Sequence, residues 1–460
     1  VFVSRHIIGE DNQYVRLFDI LDRQSHYDEN KILKRASITK QQLDNWKRYL
    51  YKLILKSEEN YHPDGTAENK IKHLLIHTEI LFKKALYAQC NKILLKAKLL
   101  AEQYEKYELL MEILKWERNI IVANPQGGTV LQKQDAIYNE RESVLKKLQN
   151  IDEYERVAGK IYSFQISKGA SRNKNESKEF QNLISNPLLK EESYALTQES
   201  KRVFYSIHAL FYQQAGNIVK SHDYYKKMVE LIELSPEQIK ERPYIYLFAL
   251  NNLGNSSHRL ARYDEVSLLI KKMRYLPEKL GSKCTKVIKA KVFERSYNHE
   301  LTMYLTTCQF EKAVYLISDI EKGVEEFREA IDKQHEIIFY FDFAYLYFMQ
   351  QEYKKALLWC NKIINDAVID IRQDVYCFAR ILNLLIHYEL GNEDLLEYRV
   401  KSAYRYLHKR QRLYKFETSV LNFIRKKIPH IVSDKNLIGA FKELKTELEE
   451  ITKDPFEKIA

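Results

Sequence analysis

The chain has 460 residues and carries 74 basic against 63 acidic side chains, which gives a formal net charge of +11. Only 12 Gly and 8 Pro are present, about a third of their combined share in an average protein. β-Sandwiches, collagen-like chains and disordered linkers need more of these residues, so they are excluded and long helices are expected. The basic excess points to an acidic partner.

Cysteine usage and hydropathy predict a soluble, cytoplasmic protein. The five cysteines are scattered without a CxxC pair, as is typical of a reducing compartment. The start of the chain has no secretory signal, and no stretch is apolar enough to span a bilayer. The chain does not begin with Met, which leaves open an extension before Val1.

Residues 1–62 are predicted to form a basic N-terminal helical region of three helices, the third capped by Thr39. The segment 31–56 holds eight basic residues against the single acid Asp44. A basic third helix after a short turn is typical of a helix-turn-helix, which inserts the start of that helix into the DNA major groove. The residues it would present are Lys40, Gln41, Gln42, Asn45 and Lys47.

A packing explanation of the same helix is favoured. Its turn lacks Gly, and one face carries an apolar series that suits burial. That series is Leu43, Trp46, Leu50, Leu53 and Ile54. On this interpretation the lysines form the ordinary solvated face of a packed helix.

Residues 63–199 are predicted to form less regular helical hairpins, one of which turns near Ala85–Tyr87. The segment NPQGGT (124–129) lacks the Lys-Ser/Thr of a phosphate-binding loop, so we interpret it as a helix connection. The polar segment 167–178 is predicted to be a loop. His73 and His77 are four residues apart on one helix face, but no carboxylate base lies between them. A surface pair is therefore favoured over a metal site.

Residues 200–405 carry a recurring pattern that is clearest in LNNLGNSSHRLARYDEVSLLIKKMRYLP (250–277), where two apolar helical stretches flank a short turn. This pattern resembles the tetratricopeptide repeat family. In that family a Leu-Gly pair in helix A lets helix B pack closely, an aromatic residue opens helix B, small residues follow at the helix crossing, and Pro ends the unit. The corresponding residues are Leu253, Gly254, Tyr263 and Pro277, with Val266 where the family prefers Ala.

Weaker copies of the pattern lie on both sides. Their matching residues are Tyr212, Gly216, Tyr225, Pro236, Tyr304, Phe310, Ala313, Tyr347, Tyr353, Ala356 and Gly391. The predicted turns fall at about 216, 261, 308, 351 and 391, at intervals of 45, 47, 43 and 40 residues. These intervals exceed the family's roughly 34 residues, so longer helices or longer joints are expected.

The resemblance implies a groove lined by the A helices in which a peptide of another protein is held. Carried over position by position, its lining residues are Asn251, Asn255, Arg259, Arg295, Asn298, Thr302, Phe341, Tyr345 and Met349. Asn amides can hold a peptide backbone, and Arg can pair with a carboxylate. For Asn255 a helix-bridging role is an equal alternative. For Phe341, Tyr345 and Met349 a buried packing seam is favoured over an apolar pocket.

Residues 406–460 are predicted to form C-terminal basic and capping helices, the last one capped by Ser433. The segment 398–428 contains ten basic residues against Glu417, and it alternates Tyr with Arg. Such a segment suits single-stranded nucleic acid. Tyr is abundant throughout the chain, with 33 residues, so helix packing is the favoured explanation.

The sequence thus predicts an all-α fold, a right-handed α-solenoid of antiparallel, tetratricopeptide-like hairpins. The expected function is a non-catalytic scaffold or adaptor that binds a peptide or helical segment of a partner protein. The alternative is a transcriptional regulator whose N-terminal helices bind DNA under the control of a peptide or protein ligand. No catalytic constellation, metal site or cofactor is predicted, and nucleic acid stays a possible partner of segments 31–56 and 398–428.

Overall fold

The structure is a computed structural model that describes residues 13–24, 26–61, 65–125, 130–168, 174–366, 373–409, 413–428 and 434–454. These residues form helices and their connections, without a strand among them, which confirms the all-α prediction. Contacts between helices divide the chain into two units with a boundary between Leu145 and Lys146.

The first unit contains six helices and the beginning of a seventh. They are α1 (Gln13–Asp22), α2 (Glu29–Ala36), α3 (Lys40–Tyr61), α4 (Ala67–Lys83), α5 (Tyr87–Gln103), α6 (Tyr107–Ala123) and α7 (Val130–Lys168), which contains the unit boundary.

Helices α1 to α3 pack around a small apolar core. Its buried residues are Leu17, Ile32, Leu43 and Leu50. Helix α2 ends at Ser37, whose φ of 55° is left-handed. The backbone N–H of Gln42 donates to Thr39 Oγ1 (3.3 Å), and the backbone N–H of Thr39 donates to Gln42 Oε1 (2.9 Å). This reciprocal pair confirms Thr39 as the N-cap of α3.

Helices α4, α5 and α6 follow one another through connections of three residues, with Ala85 and Glu105 in the left-handed region (φ 54° and 50°). The turn predicted near Ala85–Tyr87 is therefore confirmed. The glycines of the predicted connection at 124–129 lie outside the described residues.

The second unit begins in α7 and continues through fourteen further helices in the described part of the chain. They are α8 (Lys174–Ile184), α9 (Gln198–Gln214), α10 (Ile218–Glu233), α11 (Pro236–Glu241), α12 (Pro243–Arg259), α13 (Tyr263–Leu280), α14 (Lys286–Thr306), α15 (Phe310–Glu326), α16 (Lys333–Met349), α17 (Tyr353–Ile364), α18 (Gln373–Glu389), α19 (Glu393–Lys409), α20 (Lys415–Asn422) and α21 (Asp434–Ile451).

All five turns predicted in this region are present, and they share one geometry. Each connection is three residues long and contains one left-handed residue. These residues are Gly216 (φ 74°), Ala261 (53°), Cys308 (56°), Gln351 (61°) and Gly391 (69°). In each turn the next amide N–H donates to a carbonyl five residues earlier, as from Arg262 to Ser257 (2.9 Å). This is the Schellman arrangement, so one local motif builds every hairpin.

The role expected for Pro277 is wrong. Instead of ending the helix, Pro277 lies inside α13, which continues to Leu280 and stops at Gly281 with a φ of 54°. Leu276 and Leu280 are both buried, and their burial offsets the backbone hydrogen bond that proline cannot donate. Pro236, by contrast, occupies the first turn of α11, after α10 has ended.

Two further details refine the predicted elements. Helix α7 extends to Lys168 and α8 begins at Lys174, so helices occupy both ends of the predicted loop 167–178. The predicted N-cap Ser433 lies outside the described residues, and the predicted domain limits at 62, 199 and 405 stay predictions.

None of the helices in the described part of the chain combines the length and the apolar character that a bilayer span requires.

Candidate functional site

The hairpins of the second unit place their first helices side by side. We call α12, α14, α16 and α18 the A helices and α13, α15 and α17 the B helices. Each A helix contacts the A helix of the next hairpin directly, whereas neighbouring B helices approach each other far less. The A helices therefore form the more tightly spaced side of this unit.

The seam between α12 and α14 depends on Gly254. A Cβ atom built on Gly254 would lie 2.6 Å from Cε1 of His299, a buried residue of α14. The resemblance implied that this glycine lets helix B pack closely, whereas the atoms nearest to the missing side chain belong to the next A helix. The space that the missing side chain leaves is taken by the next A helix, because His299 is directed at the backbone of α12.

Two histidine rings form the centre of this seam. His258 of α12 stacks on His299 of α14 with ring centroids 5.3 Å apart and planes inclined by 10°. Burial lowers the pKa of His258 to about 4 and the pKa of His299 to about 3. Both rings are therefore neutral at pH 7. Among the described residues, neither ring nitrogen of His258 has a hydrogen-bond partner.

The polar residues predicted on α12 and α14 flank this seam. Asn255 and Arg259 are exposed, while Asn251, Asn298 and Thr302 are half-buried. Successive residues of a helix are rotated by about 100° around its axis. Viewed along the axis, Asn251, Asn255 and Arg259 therefore lie on one side of Gly254, and Asn298 and Thr302 lie on the opposite side of His299. Because these A helices run in the same direction, the two sets lie on the same surface.

Arg295 lies beside the histidine pair without a partner. It is half-buried, its Nη1 is buried, and it forms no ion pair with another described residue. Burial lowers the pKa of its guanidinium. The adjacent Glu294 is fully buried and is already engaged by Lys291 Nζ (3.0 Å) and by the backbone N–H of Asp332 (2.6 Å). An unpaired cation therefore remains next to the predicted surface.

The apolar residues predicted on α16 separate into two environments. Phe341 packs against the core that α14 to α18 share. Tyr345 and Met349 are 38% and 43% exposed, respectively, and lie one helical turn apart. The packing explanation is supported for Phe341, whereas Tyr345 and Met349 offer exposed apolar area on α16.

A buried polar network joins two hairpins and was missed by sequence reasoning. His222 Nε2 donates to Glu265 Oε2 (2.8 Å), Ser257 Oγ donates to the same oxygen (3.1 Å), and Arg262 donates to His222 Nδ1 (3.1 Å). Ser257 faces the carboxylate, so the imidazole is not placed to remove its proton. His222 and Glu265 are 43 residues apart in the chain, so no local sequence motif could predict that they form a pair.

The residues predicted to contact nucleic acid all belong to the start of α3. Lys40, Gln41, Gln42 and Asn45 are exposed, although Gln42 also serves in the cap. Lys40 pairs with Glu29 (3.3 Å). The Tyr27 hydroxyl accepts from Lys47 Nζ (2.9 Å), and this bond raises the pKa of Lys47.

The described residues contain no group of three or more His, Cys, Asp or Glu side chains that could hold a metal ion. His73 is half-buried and His77 is exposed on α4.

No protein-family model matches the chain, and a comparison with curated proteins finds no similar sequence.

Proposed function

We propose that this protein is a non-catalytic adaptor that binds an extended or helical segment of another protein on the surface of its A helices. One observation carries the proposal: A helices contact each other from hairpin to hairpin, whereas B helices are more widely spaced. Such spacing favours a right-handed, tetratricopeptide-like solenoid with the A helices on its concave side. The five free cysteines fit a cytoplasmic location.

The chemistry of the surface suits a peptide. Asn251, Asn255 and Asn298 can each donate to and accept from a peptide backbone. Arg295 offers an unpaired cation, and an unpaired buried charge is stabilised when a carboxylate binds it. Tyr345 and Met349 supply exposed apolar area for a hydrophobic side chain.

The double substitution Asn255→Ala and Asn298→Ala tests this surface. Each amide is expected to contribute about 1 kcal/mol to binding, so capture of the partner should weaken by about thirtyfold. The measurement is quantitative affinity capture from lysate followed by titration with the identified partner. The matched control is Asn361→Ala on the B helix α17, which should bind normally. Equal retention by the double variant and the control, at unchanged thermal stability, would reject the assignment.

A second candidate function rests on the first unit. Helices α2 and α3 are joined by three residues that include the left-handed Ser37, and both pack on α1. A short turn between two helices on a third helix is the arrangement of helix-turn-helix domains. The start of α3 is exposed, as contact with the DNA major groove requires. We therefore retain duplex DNA as an alternative ligand of this unit.

Substituting the exposed start of α3 tests the DNA candidate. Gln41→Ala combined with Asn45→Ala should reduce retardation of duplex DNA at least tenfold, because these side chains would contact base edges. Arg48→Ala should lower the slope of log affinity against log salt by about one, as expected for one lost phosphate contact. Lys445→Ala on α21 serves as a charge-matched control. If the full chain retards no duplex at low salt, the DNA candidate is excluded.

A further inference from the structure

Four exposed apolar side chains recur at one position of successive hairpins, on the second helix of each. The position is the seventh residue after the left-handed turn residue. The four helices are the B helices α13, α15 and α17 and the equivalent helix of the next hairpin, α19. We call this set the apolar row. Its members and their exposed fractions are Leu268 (53%), Tyr315 (80%), Leu358 (55%) and Tyr398 (65%).

Helical register places the apolar row on the side of each helix that faces away from the core. The residues five and nine positions after each turn are buried, as Ala313 and Ile317 are in α15. The seventh position lies about 160° around the helix from both of them. Because the A helices pack against the buried side, the row is directed away from the proposed peptide surface.

The same outward position is charged in three other hairpins. Lys92 in α5, Glu112 in α6 and Asp223 in α10 each follow their left-handed turn residue by seven positions, and all three are exposed. Charged residues are what the solvated face of a helix normally carries. Single exposed apolar residues need no explanation, whereas an aligned set marks an interaction surface. The change from charged to apolar begins at α13 and continues through α19.

The order of residues in the apolar row fits a second copy of this chain. Along successive hairpins the row alternates between leucine and tyrosine. A two-fold axis between two copies, parallel to the helices, would reverse this order in the partner, so each leucine would meet a tyrosine. At the centre of the contact, Tyr315 would pack against Leu358 of the partner subunit. The row is therefore complementary in shape to its own reverse.

The formal charges of the two central helices also favour the reversed order. Helix α15 carries five acidic and two basic residues, whereas α17 carries three lysines and no acid. The reversed order places α15 against α17 of the other copy, which joins opposite charges. The same order in both copies would place each helix against itself and join like charges. Helices α13 and α19 each have one net positive charge and do not distinguish the two orders.

Glu311 and Lys354 give this charge match a specific contact. Each lies four residues before the row residue of its own helix, and therefore on the same outward face. Both side chains are exposed, and neither pairs with an opposite charge among the described residues. In the reversed order the two positions lie opposite each other, so the dimer would contain this ion pair twice.

The exposed area of the apolar row is adequate for a reversible dimer. With ~150–250 Å² for a whole aromatic side chain, the four row residues expose roughly 500 Å². A standard interface buries about 800 Å² on each partner and has a polar rim. The row would form the apolar centre of such an interface, and the charged residues beside it would form the rim.

We propose that this chain forms a two-fold homodimer through the apolar row, with Tyr315 against Leu358 of the partner subunit and Glu311 paired to Lys354 of the partner subunit. The proposal is independent of peptide binding, because it uses the opposite side of the hairpins. The A helices stay accessible in both copies, so a dimer would present the proposed peptide surface twice.

Sedimentation velocity of the chain at increasing concentration tests the proposal. A dimer with twice the 54.9 kDa mass of one chain should form with a Kd of about 10 μM or tighter. Tyr315→Ser and Leu358→Ser should each weaken it by about tenfold or more, because these residues lie at the centre of the contact. Tyr51→Ser and Leu131→Ser, at exposed positions in the first unit, are the matched controls and should dimerise normally.

An exchange of charges separates this interface from any other mode of association. Glu311→Lys and Lys354→Glu should each weaken the dimer by about tenfold, whereas the double variant should restore it, because the contacting charges are opposite again. Unchanged circular dichroism confirms folding of each variant. A monomer at every concentration overturns the proposal and leaves a different protein as the occupant of the row. A dimer that neither serine variant weakens, or a double charge variant no tighter than the single ones, overturns the assigned contact.

Discussion

Gly323→Ala is expected to destabilise the second unit by about 2 kcal/mol, although alanine is normally the better helix former by about 1 kcal/mol. A Cβ atom on Gly323 in α15 would overlap the ring of Phe293. That ring is buried and is surrounded by Phe327 and Phe339, with ring centroids 5.5 and 6.1 Å away. The ring therefore has little room to move, and the strain outweighs the gain in helix propensity. Urea unfolding followed by circular dichroism measures the difference.

The chain provides its own controls for this substitution. Gly254→Ala should behave like Gly323→Ala, because its Cβ would meet the buried His299 ring. Gly159 and Gly439 also lie in helices, but a Cβ atom there would have no neighbour within 4 Å. Alanine at either position should stabilise the protein by about 0.5–1 kcal/mol. If Gly323→Ala proved as stable as Gly159→Ala, the packing described between α14 and α15 would be wrong.

Acid is expected to weaken the second unit through the stacked pair His258 and His299. Their pKa values in the folded chain are about 4 and about 3, against roughly 6.5 when unfolded. A lowered pKa means that the stabilising contribution is complete above pH 6.5 and is lost as the pH falls toward the folded values. Between pH 6.5 and 5 the pair should cost about 3 kcal/mol of unfolding free energy. Urea midpoints at pH 7 and pH 5 provide the measurement.

His258→Phe isolates the contribution of the pair. Phenylalanine keeps a ring against His299 but cannot bind a proton, so the loss of stability between pH 7 and 5 should shrink by about 1.5 kcal/mol, which is half of the contribution of the pair. Burial also lowers the pKa of His208, His335 and His387, so part of the acid sensitivity will remain. His26→Phe, at an exposed position in the first unit, is the control for the exchange of a histidine for phenylalanine. A wild-type pH profile in His258→Phe would contradict the assignment.

The turns could be predicted from the sequence because each hairpin is a local unit. Apolar spacing and phase located Ala261, Cys308 and Gln351 as turns, even though none of these residues is glycine. The position of Pro277 inside α13 could not be predicted, because the helix continues past it through the burial of Leu276 and Leu280 against neighbouring helices.

The candidate sites were predictable only in part, for the same physical reason. The exposed positions of the A helices, such as Asn255, follow from helical periodicity. The His258–His299 stack and the unpaired Arg295 depend on contacts between hairpins about 40 residues apart, which no local pattern encodes. Likewise, the basic character of segment 398–428 could be predicted. That Lys401, Arg405 and Arg425 line one pocket could not, because this depends on the π-helical turn Phe423–Lys427 that carries Arg425.

The fixed three-residue connection within each hairpin has a consequence for how this chain tolerates change in length. One residue inserted there would rotate the following helix by about 100° and turn its buried face outward. The joints between hairpins already differ, with five residues at 281–285 and six at 327–332. Insertions and deletions should therefore accumulate in those joints. They would alter the spacing between successive A helices, while each hairpin keeps its own packing.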